Sequence, residues 1–291
     1  MRAVVLDADG LPELVELPEP TGQGLLVRVH ACGLCGSDVE KLGRAAPGTV
    51  LGHEVVGELA NGDRVTVVHH VPCGVCERCQ AGHQSTCGEF RELRIAPGGF
   101  AERLRATFCV PLPDSFGPHD GVWVEPLACV LRGAEHVPAG RVAVVGCGAI
   151  GQLWIQALAR RGSEVVALDP RPDRLARARE LGAVVDDDPV AAAVLTAHAG
   201  ANDALRRLAP GGTLLVFAAP GEPVPVDLDA VYRKELVVAG TRSATPAYFR
   251  DAIELLPSLV LPETTTLPLE RFVEGVELYR RGEALKVVFV P

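Results

Sequence analysis

Short apolar runs separated by turn residues fill the first part of the chain. Val4–Ala8, Leu25–Ala31, Val55–Ala60 and Arg64–Val68 are rich in valine and leucine, with Gly, Pro and Asp-Arg turns between them. Each reads as a strand. The segment Pro111-Leu-Pro-Asp-Ser-Phe-Gly-Pro118 then marks a change of texture. From about residue 121 to 240 strand and helix periods alternate. Val142–Val145 reads as a buried strand, Ile150–Arg161 as a helix, Val165–Leu168 as a strand and Arg174–Leu181 as an amphipathic helix. Ala191–Ala197 and Thr213–Ala218 read as further strands. Such alternation argues for a parallel sheet with crossover helices. The tail is mixed, with helices near 246–256 and 270–281 and a last strand over Lys286–Val290.

One irregularity interrupts the alternation. Only Asp186-Asp-Asp-Pro189 and its immediate neighbours separate Ala183-Val-Val from the strand at Ala191. A parallel crossover needs about ten or more residues. Either a crossover helix is missing or residues 183–185 are not a full strand, and a trimmed unit is expected.

Gly146-Cys-Gly-Ala-Ile-Gly151 follows one of these strands and opens a helix. Asp169 ends the next strand, 18 residues beyond Gly151. This is the pattern of a dinucleotide turn. Gly146 makes the turn, Gly148 admits the pyrophosphate to the backbone, and Gly151 lets helix and strand pack closely. Ala149 and Ile150 begin the helix, whose unpaired N–H groups face the phosphates. Asp169 would accept the ribose hydroxyls and repel a 2′-phosphate, which favours NAD over NADP. Arg171 and Arg174 oppose that preference, since either can meet a phosphate.

Composition bounds what this pattern can serve. The 291 residues are 48% apolar and 22% charged, enough for one large or two ordinary domains. With Lys+Arg 28 against Asp+Glu 37 the net charge is −9, which argues against a nucleic-acid partner. No window of about 18 apolar residues is present, so no membrane span is expected. The opening MRAVVLDADG reads as a strand and not as a leader, so a cytoplasmic location is expected.

Nine cysteines are too many for a reducing compartment unless some hold metal. Cys73, Cys76, Cys79 and Cys87 form one compact loop. Four thiolates without His or acid suit a closed tetrahedral zinc that holds structure. An iron–sulfur cluster is the competing cofactor. His83 inside the loop reads as a solvated residue.

Further motifs carry a resemblance. Gly33-Leu-Cys-Gly-Ser-Asp38, Gly52-His-Glu-Val-Val-Gly57, the four-cysteine loop, Gly98-Gly-Phe-Ala-Glu102, Gly146–Gly151 and Leu285-Lys-Val-Val288 occur in this order. Together they resemble the zinc-dependent medium-chain alcohol and polyol dehydrogenases, over essentially the whole chain. The sorbitol and threonine dehydrogenase branch is the nearest in pattern. The resemblance implies an α/β fold: a GroES-like β-rich catalytic domain, residues 1–126 and 243–291, split around a trimmed Rossmann domain with a doubly wound parallel sheet, residues 127–242.

The resemblance also implies a catalytic zinc on Cys35, His53 and Glu125, making two zincs per chain. Thiolate, imidazole and carboxylate with one open position describe such a zinc. Glu54 is the rival for the carboxylate place. Pro126 restricts the residue before it to an extended backbone, which would aim Glu125 reproducibly. His53 and Glu54, if extended, would point to opposite faces. Asp38 fits a partner that fixes the His53 tautomer. Cys32 and Cys129 read as packing residues. Ser37 matches the family's proton-relay hydroxyl, although Ser-Asp-Val-Glu also reads as a helix-capping box. The relay histidine that often follows is here Glu40. His69 falls where the family lines its substrate pocket, and Arg242 where polyol dehydrogenases carry an arginine near the substrate.

The function implied is hydride transfer between a secondary alcohol, polyol or sugar-like small molecule and a nicotinamide. A threonine-type amino-alcohol dehydrogenase and a dinucleotide-binding relative without turnover are the competing readings. Intact Cys35, His53, Glu125 and Ser37 speak against the latter. A homodimer or homotetramer is expected, with neither nucleic acid nor membrane as partner. The chain is shorter than its family by roughly an eighth or more, with losses at 39–50, 57–62 and 186–190. None of them removes a ligand or a cofactor glycine.

Overall fold

The computed structural model describes residues 1–91, 94–219 and 221–291. The chain forms two compact units. The first comprises Met1–Ala128, Ser243–Pro257 and Glu263–Pro291; the second comprises Cys129–Arg242 and Ser258–Pro262. No helix among the described residues is long and apolar enough to cross a membrane.

The first unit is built on a β-sheet. Its strands run in the order Thr265–Pro268, Val287–Val290, Leu25–Gly33, Glu54–Leu59, Arg64–Val67 and Cys109–Pro111. Arg103–Ala106 pairs both with the long Leu25–Gly33 strand and with Ile95–Ala96. All of these pairings are antiparallel except that of Thr265–Pro268 with Val287–Val290. Arg2–Leu6 pairs with Pro12–Glu16 in a small separate hairpin. Alternating valines and leucines of the strands turn one face inward, as an antiparallel sheet with one wet face requires. There Val4, Val27, Val29 and Leu104 are buried with three phenylalanines. Phe100 meets Phe272 and Phe289 edge-on, at centroid distances of 4.9 and 5.5 Å.

The second unit is a five-stranded parallel sheet in the order Glu164–Leu168, Arg141–Val145, Val190–Leu195, Leu208–Val216, Val237–Gly240. Val142 to Val145 are all buried, the signature of a strand covered on both faces. The Ala149–Arg160 and Pro172–Glu180 helices form as expected. Residues 183–185 do not make a strand. Val184 forms a single parallel bridge to Val166, and six residues later the chain enters Val190–Leu195, beyond Arg141–Val145. The crossover helix is absent. Two arginines staple the short link: Arg141 binds the Asp186 carboxylate, and Arg207 binds the Asp186 carbonyl and the Asp187 carboxylate.

Several expectations need correction. The strand expected over 213–218 starts earlier and runs Leu208–Val216. Ser37 does not cap a helix: the Gly36–Lys41 helix starts before it, and Cys35 and Asp38 make the capping interactions. Glu125 is not extended. It lies in the first turn of the Val124–Ala134 helix, where Pro126 loses no hydrogen bond because first-turn N–H groups have no partner anyway. The short Ala201–Arg207 and Leu228–Arg233 helices were not anticipated, because Asn202, Asp203 and Asp229 are weak helix formers.

Candidate active site and metal centres

In the first unit, chain turns deliver the donors. Cys35 stands at the N-terminus of the Gly36–Lys41 helix, with Asp38 one turn on. Asp38 is buried and organises the turn: its Oδ2 accepts from the Cys35 N–H at 3.1 Å and its Oδ1 from the Gly52 N–H at 3.3 Å. The same Oδ1 faces His53 Nδ1 at 3.3 Å. An Nδ1–H donated there leaves the other ring nitrogen as the donor to a metal. Burial opposes charging of His53, but the Asp38 carboxylate and Cys35 outweigh it and hold the imidazole well above its usual pKa. Burial likewise opposes Asp38 ionisation, and His53 reverses this, leaving the carboxyl below its usual range.

His53 is common to two donor groups. Ligand atoms of Cys35, His53 and Glu54 lie within 4.8 Å of one another, and so do those of His53, His69 and Glu125. The strand alternation expected to separate Glu54 from His53 does not do so. Glu54 is instead committed elsewhere, in a buried ion pair with Lys286. The Lys286 ammonium also donates to the Leu34 carbonyl at 3.3 Å and lies 5.3 Å from the Trp123 ring centroid. Gly33 is required beside this pair, since a Cβ there would overlap the Glu54 carboxylate. Ser37 Oγ donates to Cys35 Sγ at 3.3 Å. The Tyr279 hydroxyl lies close by, beside Gly36, and burial raises its pKa to about 12. Cys32 is buried against Gly52 and Gly99, a packing position.

Lys286 and Tyr279 are neighbours of these donors that sequence reasoning passed over. The signal for Lys286 was present: a lone cation inside the apolar run Leu285–Val290 needs a buried partner.

The four-cysteine loop is compact. Cys73, Cys76, Cys79 and Cys87 offer sulfurs within 4.8 Å of one another, over Phe90. Cys73 Sγ lies 3.9 Å from Cys79 Sγ and 3.6 Å from Cys87 Sγ. Tetrahedral zinc with bonds of ~2.3 Å separates its sulfurs by ~3.8 Å, so the set fits that metal. The cysteines are unbridged. Backbone donation from Cys73 lowers the Cys87 thiol to about 6, while burial raises Cys79 to about 12. One sulfur is ready to ionise, and another needs a cation to do so. His83 is an exposed residue of this loop.

In the second unit Gly146 has φ +96°, and a Cβ on Gly151 would overlap the Gly146 carbonyl oxygen. Only glycine serves at either position. Gly148 caps the helix that Ala149 and Ile150 begin. The Asp169 carboxylate accepts from the Cys147 N–H at 2.7 Å and the Arg171 N–H at 2.9 Å. Arg174 Nη1 stands 3.7 Å from Asp169 and beside Gly148. The Arg171 guanidinium is paired with Asp173. The fold thus gathers the cofactor residues that the sequence named. Arg242 is exposed at the end of this unit, its carbonyl accepting from Arg132.

Comparison with known proteins fits this geometry. Residues 22–114 match the alcohol dehydrogenase GroES-like domain, and residues 149–258 match the zinc-binding dehydrogenase family. The chain is 31% identical to the L-threonine 3-dehydrogenase of Bacillus licheniformis, over 96% of this chain and 94% of that one. The chain belongs to the zinc-dependent medium-chain alcohol and polyol dehydrogenases. It is an oxidoreductase that moves a hydride between an alcohol or polyol and a nicotinamide. Its identity to the D-altritol 5-dehydrogenase of Agrobacterium fabrum is 33%, with 84% of each covered. A zinc-binding dehydrogenase from Sinorhizobium meliloti solved bound to NADP superposes with a TM-score of 0.83, at 27% identity, over 100% of this chain and 99% of that one.

Proposed function

We propose that this dehydrogenase oxidises a secondary alcohol or polyol at a zinc held by Cys35, His53 and Glu125, with NAD as hydride acceptor and a second, structural zinc on the four cysteines. One observation carries the reading: Cys35 and Asp38 start one helix, and Asp38 orients the His53 that both donor groups share.

When bound, the metal supplies Lewis acidity that lowers the alcohol pKa, and the nicotinamide receives the hydride. The residues do the rest. Asp38 fixes the ring of His53. Ser37, whose O–H is directed to the Cys35 sulfur, would turn that O–H toward the cofactor ribose and release its proton there as its oxygen accepts the alcohol proton, so that it ends the step as a neutral hydroxyl. Glu54, neutralised by Lys286, supplies a fixed dipole behind Cys35 and His53. Gly146, Gly148 and the start of the Ala149–Arg160 helix cradle the pyrophosphate. Asp169 takes the ribose hydroxyls with its remaining lone pairs, and Arg174 flanks the phosphate turn. Pairing of Arg171 with Asp173 supports NAD, since it engages one of the two cations that could meet a 2′-phosphate. His69 and Arg242 contribute polar groups for a hydroxylated substrate.

Cys35→Ser should remove one of two zincs and turnover while leaving the fold. A variant with both zincs and full activity overturns the ligand set. Comparing kcat/KM for NAD and NADP tests the cofactor; a preference for NADP assigns Arg171 and Arg174 to the phosphate. The likeness to a threonine dehydrogenase supports an amino-alcohol substrate as the second reading. A panel of polyols, amino alcohols and simple alcohols followed by NADH absorbance separates the two.

A further inference from the structure

We infer that His69 is a fourth protein donor to the catalytic metal, beside Cys35, His53 and Glu125. The inference rests on the proposed metal site and adds a ligand to it.

Two donor groups share His53, one with Cys35 and Glu54 and the other with His69 and Glu125. The ion pair with Lys286 removes Glu54 from the first. Both Glu54 and Lys286 side chains are almost fully buried, 2% and 4% exposed. Drawing Glu54 to a metal would leave the ammonium without its counter-charge in a low-dielectric interior, which is strongly unfavourable. Cys35 then remains in the first group, and joined through His53 to His69 and Glu125 of the second it would make four donors, the number zinc takes in tetrahedral coordination.

The geometry of His69 supports its place among them. Its ring centroid is 4.7 Å from that of His53, with the planes tilted by 52°. The two rings are therefore not stacked face to face. Donor atoms of His53, His69 and Glu125 all fall within 4.8 Å. Tetrahedral bonds of ~2.0–2.2 Å bring nitrogen and oxygen donors to ~3.3–3.6 Å from one another, so a contraction of at most about 1.5 Å closes this group of three. Two histidines and a glutamate are themselves a recurring catalytic zinc set.

His69 is also held as a ligand should be. Its carbonyl accepts from the Arg94 N–H at 2.9 Å. Its ring abuts His70 at 4.5 Å, and His70 stacks on Phe90 at 5.0 Å and 22°. Phe90 in turn packs on Cys79 and Cys87. The structural cysteine loop thus braces His69 through two rings. The consequence is a site closed by protein in the absence of substrate. The substrate oxygen then competes with His69 for its place, so this side chain weighs on KM as well as on metal retention.

The test uses the full-length protein with the catalytic zinc exchanged for cobalt(II) as the probe. His69→Phe should weaken cobalt binding about 10-fold or more in chelator competition, comparable to loss of a supporting metal-site contact. It should also shift or weaken the visible d–d bands as water replaces a nitrogen. The zinc of the cysteine loop and the far-ultraviolet circular dichroism should not change. Unchanged bands and affinity overturn the inference. If His69→Phe does not fold, X-ray absorption at the cobalt edge of the wild-type protein decides: scattering from two imidazoles supports it, from one overturns it. Cys35→Ser serves as the control. If it strips the cobalt and His69→Phe does not, only the fourth donor is wrong. If Cys35→Ser leaves the cobalt and its sulfur charge-transfer band intact, the proposed site itself is wrong.

Discussion

In the proposed site two glutamates are assigned opposite roles because of what stands behind each. Glu54 has a buried ammonium as partner, and Glu125 shares its donor group with two histidines. Glu125→Gln should therefore lose catalytic-metal affinity by about 10-fold or more. Glu54→Gln should lose rate and keep metal. Metal titration of the two variants checks this, and release by Glu54→Gln alone would reverse the assignment. Lys286→Met leaves the Glu54 carboxylate buried without its counter-charge, at a cost of about 3–5 kcal/mol. A lowered melting temperature, partly restored by adding Glu54→Gln, is the expected result. At this scale the sequence was informative about donors and poor on their partners. The glycines of the dinucleotide turn announce themselves by spacing, whereas Cys35, Asp38 and His53 were named through the family motifs that they resemble. The Lys286–Glu54 pair joins residues 232 positions apart, and no local pattern links them.

Among elements, the cysteine loop shows what spacing can and cannot specify. Cys73, Cys76, Cys79 and Cys87 lie within one short segment, so their convergence needs only local turns. Cys76→Ser should lower thermal stability and release one zinc, because metal binding to such a loop is part of its folding free energy. Unchanged melting and metal content would count against a metal there. Strands were legible wherever valine and leucine clustered between glycines, as in Leu25–Gly33 and Arg141–Val145. The Val124–Ala134 helix was not, because Pro126 reads as a breaker unless its place in the first turn is known. The Pro12–Glu16 strand was likewise hidden, since Pro12, Glu13 and Glu16 mask its pairing with Arg2–Leu6.

Over the whole molecule, chain order made the division into a β-rich unit and a parallel-sheet unit readable, and the shortage of residues after Val184 marked the trimming. What the sequence could not give is how the shortened connection spans the sheet. From Val184 the chain must pass two strands to reach Val190, three strand spacings or ~14 Å. Through the register of Val166 with Ala143 and of Ala143 with Ala193, Val190 also starts three residues lower, a further ~10 Å. The displacement is thus about 17 Å, against a reach of ~20 Å for six fully extended steps. The link behaves as a tether with almost no slack, pinned midway where Arg141 and Arg207 hold Asp186. Deleting Asp188 should pull open the Val184 bridge and lower the melting temperature. Inserting two residues at the same point should leave it nearly unchanged, since even a doubled loop costs only about 0.6 kcal/mol. Equal effects of deletion and insertion on thermal unfolding would show that the tether carries no tension. If it does carry tension, the chain length here is a lower limit, and sequence variation at this point can only add residues.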